Sequence, residues 1–160
     1  MPGHLRGYVD ACVKFLDEWA IKPLMSERPC GSRQWLYCGT PDLVAELADG
    51  THAMFDYKTS ASGIFGETAL QQAAYARSEF WIDEDGAEQP TADLNITATF
   101  GVHLRDDGSY DCIPLAFDES VFRAFLHVAY VGRMAKTIKE TYTGEPANPP
   151  EPTTKGTDAA

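Results

Sequence analysis

The chain has 160 residues, 44% of them hydrophobic, and a formal net charge of −11 from 24 acidic and 13 basic side chains. That length suits one domain with a buried core, and the composition excludes a wholly disordered chain. The acid excess counts against a sequence-independent grip on nucleic acid through a basic surface, although net charge does not say where the charges sit.

No apolar run approaches the length needed to span a bilayer, so no membrane partner is expected. The N-terminus, Met1-Pro2-Gly3-His4-Leu5-Arg6, has no long apolar stretch behind a basic one and does not read as a secretion signal. A soluble cytoplasmic protein is the expectation. Cys12, Cys30, Cys38 and Cys112 are scattered without a C-x-x-C pair, so they read as ordinary cysteines in a reducing compartment.

Leu5 to Trp19 is predicted as a helix, with Tyr8, Cys12, Phe15, Leu16 and Trp19 on one apolar face. Three strands are expected next: Gln34–Cys38, Leu43–Leu47 and His52–Lys58. The last two are joined across Asp49-Gly50, a tight-turn signal that makes them a hairpin. A second helix is expected over Thr68–Phe80. The acidic run Asp83-Glu84-Asp85, with Glu88 and Asp93, reads as a solvated loop. Asn95–Leu104 and Tyr110–Pro114 are predicted strands separated by the turn Asp106-Asp107-Gly108-Ser109. A last helix is expected over Glu119–Thr141. From Gly144 onward the chain is Pro-rich and poor in large apolar residues, so residues 143–160 are expected to be a disordered tail behind a domain of residues 1–142. The order of elements predicts an α/β domain with a mixed sheet flanked by helices.

The chemistry concentrates at Phe55-Asp56-Tyr57-Lys58. Alternate residues of a strand share a face, so Asp56 and Lys58 point one way while Phe55 and Tyr57 point into a core. Alone, such a pair reads as a surface ion pair. Gly39-Thr40-Pro41-Asp42 adds a second carboxylate at the start of the neighbouring strand. Two carboxylates so placed repel each other, and a hard divalent cation such as magnesium relieves the repulsion through oxygen ligands. Gly39 permits a turn or a close approach that a side chain would block. In Gln71-Gln72-Ala73-Ala74-Tyr75, Gln71 and Tyr75 share a helix face and can bond a phosphate or stack on a base. Read alone, that segment is a helix surface with Tyr75 half-buried. His52, His103 and His127 read as packed or surface histidines rather than ligands.

Together these elements resemble the PD-(D/E)XK nuclease superfamily, in its RecB-like branch of phage and CRISPR-associated exonucleases. The pattern stands here as Gly39-x-x-Asp42, Asp56-x-Lys58 and Gln71-x-x-x-Tyr75, over roughly Leu5 to Leu104. The resemblance implies a restriction-endonuclease-like core of order αβββαβ. It implies a magnesium- or manganese-dependent deoxyribonuclease, an exonuclease acting on DNA ends or single strands in a bacterial or phage-infected cell. A recombination or replication protein is the partner it suggests. Asp42 and Asp56 would bind the ion, with the Tyr57 carbonyl as third ligand. Lys58 would position water or stabilise developing charge, and Gln71 and Tyr75 would hold the DNA strand. For Glu27, three roles stay open: metal ligand, DNA-side contact and surface charge. RecB-like members carry a metal-binding His upstream of the Gly-x-x-Asp motif, and His4 is the only His in that part of this chain. The usual N-terminal piece is therefore expected to be missing. This departure motivates the competing expectation of a catalytically inactive module that binds nucleic acid or a partner protein. With only Cys112 late in the chain, no iron–sulfur cluster is expected.

Overall fold

The computed structural model describes residues 5–150; His4 lies outside them, as does most of the expected tail. In chain order the elements are α1 (Arg6–Glu18), β1 (Lys22–Ser26), β2 (Cys30–Ser32), β3 (Tyr37–Gly39), β4 (Leu43–Glu46), β5 (His52–Lys58), α2 (Gly66–Ala76), β6 (Phe80–Ile82), β7 (Glu88–Pro90), β8 (Ala98–Leu104), β9 (Tyr110–Pro114) and α3 (Glu119–Thr141). The chain divides into two compact units after Val128. In the first, a five-stranded sheet has the order β1-β4-β5-β8-β9, and a four-stranded sheet has the order β3-β2-β6-β7. Beyond Val128, α3 runs on to Thr141, and residues 144–150 carry neither helix nor strand. The fold is α/β with a mixed sheet. Among the described residues no helix is long and apolar enough to cross a membrane.

In the larger sheet β1, β4 and β5 form an antiparallel meander. The chain then crosses over through α2 to β8, which pairs parallel with β5, and β9 returns antiparallel to β8. A parallel pair needs such a crossover, because its strands begin at the same edge of the sheet.

The two faces of β5 bury different things. Ala53 and Phe55 face α1, in a core with Ala11, Phe15, Leu43, Ala45, Val102 and Leu104. Phe15 is fully buried, and its ring meets those of Phe55, Tyr57, Tyr110 and Trp19 at centroid distances of 5.3, 6.0, 5.5 and 5.8 Å. Such tilted and edge-on pairs match the ring quadrupoles as well as removing area from water. On the opposite face Met54 joins Val44, Met25 and Leu94.

Several expectations need correction. The predicted strand Gln34–Cys38 is mostly a turn, with Leu36 in the left-handed region (φ 54°). Only Tyr37–Gly39 is extended, and it pairs with β2 in the smaller sheet. The outer strand of the meander is instead β1, which the sequence reading passes over. Its Pro23 is tolerated because β1 is an edge strand, with a register irregularity between Pro23 and Met25. The second helix ends at Ala76 rather than Phe80. Ser78 turns the chain there, its hydroxyl bonding Tyr75 O and Thr91 Oγ1, each at 2.8 Å, and Phe80–Ile82 becomes β6. The acidic run closes the hairpin from β6 to β7, with Asp83 accepting from the Asp85 and Ala87 amides. The strand expected from Asn95 begins at Ala98, after a 3-10 turn that leaves Asn95 left-handed (φ 45°).

The Phe15 side chain is the keystone of the α1 face. Phe15→Ala is expected to lower unfolding free energy by about 3–5 kcal/mol. Urea denaturation would show it as a fall in midpoint at unchanged slope.

Candidate metal and phosphate site

The antiparallel register of β4 and β5 pairs Leu43 with Phe55. Continued by one residue, it sets Asp42 across from Asp56. Phe55 faces α1, so strand alternation turns Asp56 to the α2 side, while Asp42 sits in the bend that leads into β4 and its charge acts on Asp56 from there. The Tyr57 amide donates to Asp42 Oδ2 at 2.7 Å, which ties the Asp42 carboxylate to the edge of β5. The N–H and C=O of one strand residue leave on the same edge, so the Tyr57 carbonyl points toward that carboxylate as well. Asp42 itself is held from β1: its carbonyl accepts from the Glu27 amide at 3.0 Å and from Ser26 Oγ at 3.4 Å.

Asp56 is only 3% exposed. Lys58, two residues on along the same face, brings its Nζ to 2.7 Å from Asp56 Oδ2. This Oδ2 nevertheless accepts no well-aligned hydrogen bond. The parallel register places Gly101 beside Asp56 and His103 beside Lys58. A Cβ on Gly101 would stand 2.9 Å from Ile64 Cγ2, so the missing side chain is what lets Ile64 fold over β8. From α2, fully buried Gln72 lies against the Asp56 carboxyl.

These surroundings raise the pKa of Asp56 above its ordinary value. Burial is the largest cause. The ammonium of Lys58 opposes it by hydrogen bonding and by charge, the Asp42 charge adds to it, and the Gln72 amide opposes it weakly. Desolvation thus outweighs the ion pair, the usual outcome when a charge is taken from water with a single partner.

Gln71 and Tyr75 are brought together, with Gln71 Nε2 donating to Tyr75 Oη at 3.0 Å. Both line a cleft of about 270 Å³ with Cys38, Leu70 and Phe125. The Tyr75 ring lies directly on Gly39: a Cβ there would fall 2.3 Å from Cε1 and 2.5 Å from Oη. Gly39 therefore serves a close approach rather than a turn, and the contact joins the cleft to the strand leading into Asp42. A second cavity of about 250 Å³, past the end of β5, is lined by Tyr8, Ser60, His103 and Arg105. His103 bonds Ser60 O at 2.9 Å and His52 bonds Leu94 O at 2.7 Å, so both rings are engaged locally. His127 is exposed on α3.

Glu27 is the site residue that the fold leaves apart. It sits exposed in the turn after β1, in the left-handed region (φ 48°), and touches Asp42 through its backbone. Among the described residues no three His, Cys, Asp or Glu side chains converge as a metal-binding group. The two carboxylates are thus a pair without a third acid. Their oxygens still suit a hard divalent cation, and the buried Oδ2 of Asp56, with the Lys58 ammonium as its one charged partner, is the kind of acceptor such an ion would engage. Gln72 went unread because the helix face was assigned through Gln71 and Tyr75.

In the first unit the basic side chains are paired, mostly at the surface. Each of the nine Lys and Arg residues between Leu5 and Val128 lies within ion-pair distance of a carboxylate. No family model matches the chain, and no curated protein is significantly similar to it.

Two outcomes follow from this geometry. A carboxyl whose folded pKa is raised contributes stability while protonated and loses it as pH rises through that folded pKa. Asp56→Asn should therefore melt at a higher temperature than the parent at pH 7.5 in EDTA. The gap should close as the pH falls toward the ordinary aspartate value of 3.8. If the Asp56–Lys58 pair were a net stabiliser, the order of melting temperatures would be reversed. Separately, Gly39→Ala is expected to cost about 1–3 kcal/mol by overpacking. Most of that cost should vanish when Tyr75 is also changed to Ala, and a double-mutant cycle in urea would measure the coupling.

Proposed function

We propose that the chain is a metal-dependent deoxyribonuclease of the PD-(D/E)XK type, hydrolysing phosphodiester bonds at DNA ends or in single strands. The observation that carries this reading is the closeness of two carboxylates and an amine: Asp42 is tied to β5 by the Tyr57 amide at 2.7 Å, its charge acts on buried Asp56, and the Lys58 ammonium lies 2.7 Å from Asp56. The sheet topology supports it. Three antiparallel strands, a helical crossover and a parallel fourth strand give the order αβββαβ once the β2–β3 and β6–β7 hairpins are set aside as insertions.

Asp42, Asp56 and the Tyr57 carbonyl would hold a magnesium or manganese ion. Such an ion lowers the pKa of water and draws charge from the scissile phosphate. The rest of the work belongs to the chain. Lys58, on the same face of β5 as Asp56, would face the attacking water or the phosphate oxygen on which charge develops once a cation shared the Asp56 carboxylate. Fully buried Gln72, on the α2 face, covers the Asp56 carboxyl from the helix side. The Tyr57 amide fixes the orientation of Asp42, so the two carboxylates need not reorganise. Gln71 and Tyr75, presented in the cleft beyond Gly39, offer an amide and a phenol to the sugar-phosphate backbone or a ring to a base.

A second reading, a nuclease-like module that binds without cutting, is favoured by the absence of a third acid at the pair. Purified protein on end-labelled linear single- and double-stranded DNA, with magnesium, with manganese and with EDTA, separates the two. Cleavage that needs the metal and falls at least about a hundredfold in Asp42→Asn, Asp56→Asn and Lys58→Ala is the expected result. Undiminished digestion by Asp56→Asn would remove the nuclease reading. Binding without cleavage in either metal would establish the module.

A further inference from the structure

Two polar atoms of this region, Gln72 Nε2 and Gln72 Oε1, are buried without a well-aligned hydrogen bond, and the neighbouring Asp56 Oδ2 has the Lys58 ammonium, 2.7 Å away, as its one charged partner. Gln72 is 0% exposed on the α2 face that packs on β5, flanked by buried Thr68, Ala73 and Ala74. An amide in that setting loses its water at a cost of about 1–3 kcal/mol unless it is paired. A helix built only to pack on a sheet would carry an apolar side chain there. Gln72 nevertheless lies against the one buried carboxylate, and two acids alone make a thin ligand set for a hard cation.

We infer that Gln72 is a side-chain ligand of the cation held by Asp42 and Asp56, giving its amide oxygen where a third acid is missing. This rests on the reading of those two residues as metal ligands. One ion would then engage the Asp56 carboxylate and the unpaired Gln72 amide together. Asp56 Oδ2 and Gln72 Oε1 would both bind it, which leaves Gln72 Nε2 to donate to the Asp56 carboxylate. The Gln71 amide is spent on Tyr75, so the two neighbouring glutamines have separate tasks.

The test measures manganese binding by the whole protein without DNA, by calorimetry or by the loss of the free-ion paramagnetic resonance signal, beside thermal unfolding in EDTA. Gln72→Leu is expected to weaken manganese binding roughly ten- to a hundredfold while melting no lower than the parent in EDTA, since it removes an unpaired buried amide. Gln72→Glu, which keeps an oxygen in place, is expected to bind manganese within about threefold of the parent or tighter. That split between affinity and stability, with rescue by the conservative oxygen, is not produced by a packing role. Unchanged affinity in Gln72→Leu would overturn the inference and leave a bound water as the partner of the amide. Equal losses in the Leu and Glu variants would overturn it too. Asp42→Asn and Asp56→Asn serve as the controls. If neither weakens manganese binding, the reading of the pair itself fails. If both do and Gln72→Leu does not, only the assignment of Gln72 falls.

Discussion

The central constraint is a carboxylate taken out of water beside a second carboxylate. Asp56 is buried beside β8 and the Gln72 side chain of α2, and its one charged partner, Lys58, does not fully compensate for its lost hydration. Folding alone does not favour this arrangement. Removing one partner of a buried pair is normally harmful, yet here the desolvation cost of the acid exceeds what its amine returns. On the proposed reading, a cation at this carboxylate would relieve the desolvation that Lys58 only partly offsets.

The rest of the larger sheet can be understood as the support for that residue. The α1 face locks β5 by packing Phe55 and Tyr57 among aromatic rings, so the alternate side chains are driven to the other face in a fixed register. The meander from β1 to β4 brings Asp42 to the matching position. The Tyr57 amide then holds it there, so one peptide group of β5 orients the carboxylate on the neighbouring strand. The crossover lays α2 on the same face, which is why a helix ten residues downstream in sequence supplies Gln72, Gln71 and Tyr75 to one neighbourhood. Glycine appears at two points of this support for the same reason. At Gly39 and Gly101 another residue, Tyr75 or Ile64, occupies the volume that a side chain would fill.

How much of this could be read from the chain depends on the length of the signal. The alternation in Phe55-Asp56-Tyr57-Lys58 sets both faces of β5 from four letters, and the final helix and β9 fall on the predicted residues. The strands β2, β6 and β7 are three residues each, too short to show a period, and they form a sheet only because long-range pairing selects them. Pro23 conceals β1, since proline speaks against a strand unless the strand's edge position is already known. In α2 the helical spacing continues past Ala76, and the stop comes from Ser78, whose hydroxyl partners lie before and after it in the chain. Gln72 was invisible for a different reason: a polar residue on an amphipathic helix is read as outward-facing. Only its position over Asp56 reveals it as the exception.

The pairing of every lysine and arginine in the first unit has a consequence for encounter with a polyanion. Attraction of a charged strand from a distance depends on uncompensated cations, and the bound strand then sheds condensed counterions in proportion to the phosphates neutralised. A surface whose cations are already committed to its own acids would shed few, so its association with such a strand would respond weakly to ionic strength. Capture would depend on short-range fit and on whatever brings the strand close, rather than on a long-range field.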